Sequence, residues 1–205
     1  MNAIKPSDFV SCRIFPCLDV RHAGYLVPDI AFQPERVRLV LISESAPENA
    51  EDYYYAHGEP SFQVTTLQAF QDAGAEVTSF QDILDLGVYL TTAVKCAKTG
   101  YGIQTATIKE CSLLLEEELG LFPNVQAYLL MGDVAIQAVN TIARRAGEPR
   151  VVPAGSTYKL RGGSFYFREA RVYPSYLQVG PSFGIEKSKR KMIAEDIRQA
   201  LTLLG

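Results

Sequence analysis

The sequence predicts an α/β protein: a three-layer α/β/α sandwich whose central sheet is mostly parallel and four-stranded. Three observations lead there. Four apolar, β-branched or aromatic runs are spread along the chain, and helix-like segments lie between them. The first three runs are close to continuously apolar, as strands buried on both faces of a parallel sheet are.

The predicted strands are residues 37–43 (VRLVLIS), 88–94 (VYLTTAV), 125–131 (VQAYLLM) and 170–176 (ARVYPSY). Helices are predicted over 66–73, 108–119 and 135–146; the second spaces its apolar side chains one helical turn apart and ends at Gly120, a plausible C-cap. Residues 157–160 and 164–167 flank Arg161-Gly162-Gly163, which reads as a hairpin. A last amphipathic helix is predicted over 185–204, with Ile193, Ile197, Leu201 and Leu204 on one stripe. No repeat or interdomain linker interrupts this pattern, so residues 1–205 are expected to form a single domain. Ligands of such sheets bind beyond the carboxyl ends of the strands.

With 47% hydrophobic and 21% charged residues, the composition is that of an ordinary globular protein. No apolar run approaches the roughly 18 residues of a membrane helix, and the opening Met-Asn-Ala-Ile-Lys-Pro lacks the features of a signal peptide. A monomeric, cytoplasmic protein without membrane contact is the expectation. The net charge of −3 does not suggest nucleic-acid binding, but its distribution is uneven. Residues 144–191 carry about +8, leaving about −11 elsewhere, which suggests one basic face. The cluster Lys187, Lys189, Arg190 and Lys191 also reads simply as the solvated start of a helix. Dinucleotide, Walker, nucleophile-elbow and zinc-protease motifs are absent from the sequence.

Four cysteines fall in two pairs, Cys12 with Cys17 and Cys96 with Cys111. Two pairs far apart in sequence suit a four-thiolate metal or cluster site, each supplying two corners of a tetrahedron. Spacing alone leaves open that they are small buried hydrophobes.

Seven segments carry a family resemblance. Tyr89-Leu-Thr-Thr-Ala-Val-Lys-Cys96 resembles the Tyr-Ile-Thr-Asn-Val-Val-Lys-Cys segment of the iron–sulfur uracil-DNA glycosylases, families 4 and 5 of that superfamily. Ser43-Glu-Ser-Ala-Pro-Glu48 resembles their Gly-Glu-Ala-Pro-Gly, and Gly58-Glu-Pro-Ser-Phe62 their Gly-x-Pro-Phe. Met131-Gly132-x-x-Ala135 is similar to their Leu-Gly-x-x-Ala turn, and Val172-Tyr-Pro-Ser-Tyr-Leu177 to their His-Pro-Ser-Tyr-Leu. Phe15-Pro-Cys17-Leu and Lys109-Glu-Cys111 resemble the remaining cysteine segments, with four residues rather than two inside the first pair.

The resemblance implies a uracil-DNA glycosylase-like fold and a [4Fe-4S] cluster on Cys12, Cys17, Cys96 and Cys111, with structural zinc as the alternative. It implies hydrolysis of the N-glycosidic bond of a flipped uracil-like or otherwise modified base in single- or double-stranded DNA. Glu44 and Tyr173 take the catalytic positions; Ser43, Ser45, Phe62 and Thr92 line the base site. Pro174, Ser175, Tyr176 and Leu177, with Lys187, Lys189 and Arg190, face DNA. Thr92 stands where the family has asparagine, and Tyr173 where it has histidine, so the groups that read and activate uracil are both changed. A non-catalytic nucleic-acid or nucleobase-binding relative is the alternative. His57, Tyr53, Tyr54 and Tyr55 lie near the expected pocket, either facing it or packing the loop; Glu48, Glu51 and Asp52 read as a solvated acidic loop.

Overall fold

The computed structural model describes residues 3–180 and 182–204. Six strands build one sheet: β1 (Val20–Arg21), β2 (Leu39–Ala46), β3 (Val88–Lys98), β4 (Ala127–Met131), β5 (Phe165–Phe167) and β6 (Ala170–Ser175). Their order is β1-β3-β2-β4-β6-β5. The inner four are the strands expected from the sequence, and they run parallel. The other two add antiparallel edges, so the sheet has six strands rather than four. Neither edge strand exceeds three residues, too short to leave a periodic signal.

Helices α1 (Ser61–Asp72), α2 (Phe80–Asp85), α3 (Thr105–Leu119), α4 (Asp133–Arg145), α5 (Thr157–Leu160), α6 (Ser182–Ile185) and α7 (Lys187–Leu201) complete the chain. The core is split by the sheet. Leu115, Ile136 and Ile142 of α3 and α4 pack on one face; Phe70, Ile83, Ile193 and Ile197 of α1, α2 and α7 pack on the other. Successive strand residues supply both cores, Val40 and Ile42 to the first, Leu39 and Leu41 to the second.

Several local features depart from the sequence reading. The 157–160 segment is a helical turn, and the hairpin closes instead at Arg168 and Glu169, whose φ values of 50° and 68° are what a two-residue primed turn requires. The final helix breaks at Glu186, separating α6 from α7. Helix α2 was not expected from apolar spacing, yet Ser79 and Asp82 form a reciprocal capping box at its start. Strand β3 runs four residues past its expected end, which puts Cys96 in the sheet rather than on the following loop.

Candidate functional site

At the carboxyl ends of the parallel strands a cleft of about 840 Å³ opens, large enough for a small organic ligand. Glu44 and Ser45 enter from the end of β2, Lys98 from β3, Phe62 from the first turn of α1, and Leu177 from the segment after β6. Glu44 is the one residue of β2 that is not buried. Its carboxylate accepts the Val134 N–H at the start of α4, a helix whose N-cap, Gly132, offers no side-chain cap of its own. The helix end therefore presents partial positive charge to Glu44. Lys98 Nζ stands 4.0 Å away. Even so, burial raises the Glu44 pKa above the carboxylate norm; Asp133 adds to the rise, while Lys98 and the Val134 N–H oppose it. Gly132 makes the arrangement possible. Its φ is +100°, and an added Cβ would lie 2.7 Å from Glu44 Oε1.

The expected base-binding residues sit deeper. Phe62 is nearly buried, and its ring meets Tyr54 edge-on at 5.1 Å. Ser43 and Thr92 are register neighbours on β2 and β3, both without exposure. The Ser43 and Tyr54 hydroxyls are hydrogen-bonded to each other, and Gln178 Nε2 donates to the Tyr54 hydroxyl at 2.8 Å. Thr92 Oγ1 has no hydrogen-bond partner among the described residues.

Residues 173–177 divide between core and surface. The Tyr173 side chain points away from the cleft: its hydroxyl donates to the Gln199 carbonyl near the far end of α7, at 3.4 Å. Pro174 and Ser175 belong to β6 and are buried, with Ser175 Oγ donating to Asp196 at 2.6 Å. The expected contacts of Tyr173 with a base, and of Pro174 and Ser175 with DNA, are therefore not supported by where the strand puts them. Leu177 does line the cleft, while Tyr176 lines an adjoining hollow that shares Glu44 and Leu177 with it, and Lys189 lies 5.5 Å over the Tyr176 ring.

Part of the expected basic face is paired within the fold. Arg145 and Arg168 share Glu116, Arg161 pairs with Glu195 and Asp196, Lys189 with Glu186, and Arg190 with Asp72. A sum over sequence could not anticipate acids arriving from other elements. Lys187 and Arg190 line a shallow hollow beside α7.

The four cysteines come together. Cys12 and Cys17 from the N-terminal segment, Cys96 from β3 and Cys111 from α3 line one cavity of about 460 Å³, among Phe15, Tyr25 and other largely apolar neighbours. Burial, then the charges of Cys111, Cys12 and Cys17, push the Cys96 thiol up to about 12; burial pushes Cys111 up to about 11. Such thiols favour deprotonation only beside a cationic centre. Among the described residues no three His, Cys, Asp or Glu side chains converge tightly enough to hold a single metal ion. A four-iron cluster is broader than one ion and takes its thiolates farther apart. The donor set and cavity thus fit a cluster.

Residues in and beside the cavity wall fasten the N-terminal segment. Asp19 accepts from the Gln104 N–H at 2.6 Å and from Thr107, fastening the N-terminal segment to the start of α3. His22 Nε2 lies 2.7 Å from the Cys17 carbonyl, and the Tyr25 hydroxyl accepts the Cys12 N–H at 3.1 Å. Asp19 is remote in sequence from the helix it serves. Beneath the cavity Lys95 and Glu118 form an ion pair with no exposure, and Tyr89 and Thr91 also donate to Glu118.

No family model matches the chain. A curated relative does: the type-5 uracil-DNA glycosylase of Thermus thermophilus is 30% identical over 126 residues. Over that stretch the chain is similar to a uracil-DNA glycosylase. The match covers 60% of this chain, which spans about half the length of the curated relative, 54%. The α/β/α sheet is consistent with a uracil-DNA glycosylase-like fold, and the family 4/5 resemblance read from the cysteine segments agrees with the relative's type.

Proposed function

We propose that the chain is a DNA glycosylase-like protein that hydrolyses the N-glycosidic bond of a uracil-like or otherwise modified base flipped from DNA. Glu44 carries this reading: a partly exposed carboxylate at the floor of the cleft, held at a helix N-terminus beside Lys98. Cleavage builds positive charge on the sugar and negative charge on the departing base. An ionised Glu44 offsets the first and orients a water for attack on the sugar carbon, while donors near the base oxygen offset the second. Phe62 is the aromatic contact for the base, Ser45 part of the wall, and Leu177 with Tyr176 the edge that meets DNA, where an apolar wedge helps to unstack the target. Lys187, Lys189 and Arg190 supply positive charge beside that edge.

Cys12, Cys17, Cys96 and Cys111 are the residues that would hold a [4Fe-4S] cluster. When bound, such a group supplies a cross-link between the N-terminal segment, β3 and α3, a structural service. We read the chain as one domain that works as a cytoplasmic monomer.

One observation favours a second reading, a non-catalytic nucleobase or nucleic-acid binder: Ser43, Tyr54 and Gln178 bond one another where a base would sit. The two readings part in one assay. Wild-type protein is incubated with single- and double-stranded oligonucleotides bearing a broad set of deaminated and modified bases. Abasic product from at least one substrate is expected. Binding without product from any of them would leave the second reading.

A further inference from the structure

The Phe62 ring against the side of Tyr54, and the Ser43 hydroxyl at its tip with Thr92 as register neighbour, frame a buried slot. The protein fills that slot itself. The fully buried Tyr54 ring lies against Phe62, and its hydroxyl bonds Ser43 and accepts from Gln178. An aromatic body with a polar tip meets the same demands as a nucleobase. Gln178 has no exposure, and its carboxamide holds a donor and an acceptor together: Nε2 donates to Tyr54 at 2.8 Å, to Ser43 at 3.3 Å and to Thr66 at 3.5 Å, and Oε1 accepts from Ser43 Oγ at 3.4 Å. That pair complements a carbonyl next to a ring N–H, the edge of a uracil-like base. Thr92 Oγ1, buried and without a partner among the described residues, adds an unused polar group from β3 next to Ser43.

We infer that Tyr54 occupies the base position of this slot and that Gln178 is the residue that reads the base. The inference rests on the reading of the cleft as a base site and names the two residues that decide which base enters. A base is admitted only by displacing the Tyr54 side chain and taking over its bonds. Bases whose edge offers Gln178 no paired acceptor and donor are refused. Gln178 stands in for the carboxamide that Thr92 cannot supply: its amide reaches the slot from the segment after β6 rather than from β3.

The test uses free bases, so that no strand need be cut. Tyr54→Ala is expected to bind uracil at least about tenfold more tightly than the wild type, measured by equilibrium dialysis. Adding Gln178→Leu in the same protein is expected to abolish that gain, while benzene, which needs only an apolar hole, binds both variants alike. Tyr54→Leu keeps the apolar contact with Phe62 and serves if Tyr54→Ala does not fold; it is expected to bind uracil more weakly than Tyr54→Ala but above wild type. A folded Tyr54→Ala or Tyr54→Leu that gains no uracil binding overturns the inference, as does uracil binding indifferent to Gln178→Leu. Lesion cleavage by the wild type, scored separately, bears on the glycosylase reading alone.

Discussion

Glu44 is costly to keep charged. Its folded pKa is raised by burial, so the folded state favours the protonated form, and ionisation above that pKa subtracts from stability. Glu44→Gln is therefore expected to melt higher than the wild type at neutral pH. The difference should shrink as pH falls through the raised folded pKa and vanish below the ordinary carboxylate value; parallel thermal melts across that range check it. Lys95 and Glu118 pose the opposite case, a buried pair in which each charge needs the other. Lys95→Met alone strands the Glu118 carboxylate and is expected to cost about 3–5 kcal/mol. Lys95→Met with Glu118→Leu should recover most of that loss in urea unfolding. Glu44 and the four cysteines were legible in the sequence because neighbouring residues set them in recognisable segments. Tyr54 and Gln178 were not, since only tertiary packing decides that a loop tyrosine turns inward and that a glutamine beyond β6 meets it.

Among the elements, the junction of β4 and α4 does the most for the site. Gly132 takes a backbone conformation that other residues avoid and leaves room for the Glu44 carboxylate against the α4 N-terminus. Gly132→Ala is expected to lose about 1–3 kcal/mol from backbone strain alone, read as a fall in Tm of roughly 2–4 °C per kcal/mol, with Glu44 pushed from its place. The four parallel strands could be read from the sequence, three as continuous apolar runs and the fourth from its β-branched and aromatic residues. The edges could not: β1 is two residues long, and the β5–β6 turn uses Arg168 and Glu169 in left-handed conformations that carry no glycine to advertise them. The nearby Gly162-Gly163 drew the expectation to the wrong turn.

Across the whole molecule, the cysteine cavity ties the N-terminal segment to the sheet, while the cleft lies at the end of the same strands. Cys12→Ser and Cys111→Ser are expected to lower bound iron in protein prepared without oxygen, to bleach the broad absorbance near ~400 nm, and to expose the N-terminal segment to proteolysis. Colourless, iron-free wild-type protein from such a preparation would contradict the cluster. Folding pairs part of the basic stretch, bringing Glu116, Asp72, Glu195 and Asp196 to four of its arginines. The DNA contact proposed above then rests on residues around Leu177 and Lys187.

The most direct measurement is the rate of abasic-site formation on the best substrate of the lesion set, followed against pH for wild type and Glu44→Gln. With Glu44 acting as the ionised carboxylate, the wild-type rate rises as pH passes up through a pKa above the usual carboxylate range and then levels off, and Glu44→Gln lowers the plateau by about 10²–10⁴-fold. Absence of abasic product at every pH, or a Glu44→Gln variant as fast as the wild type, would contradict it.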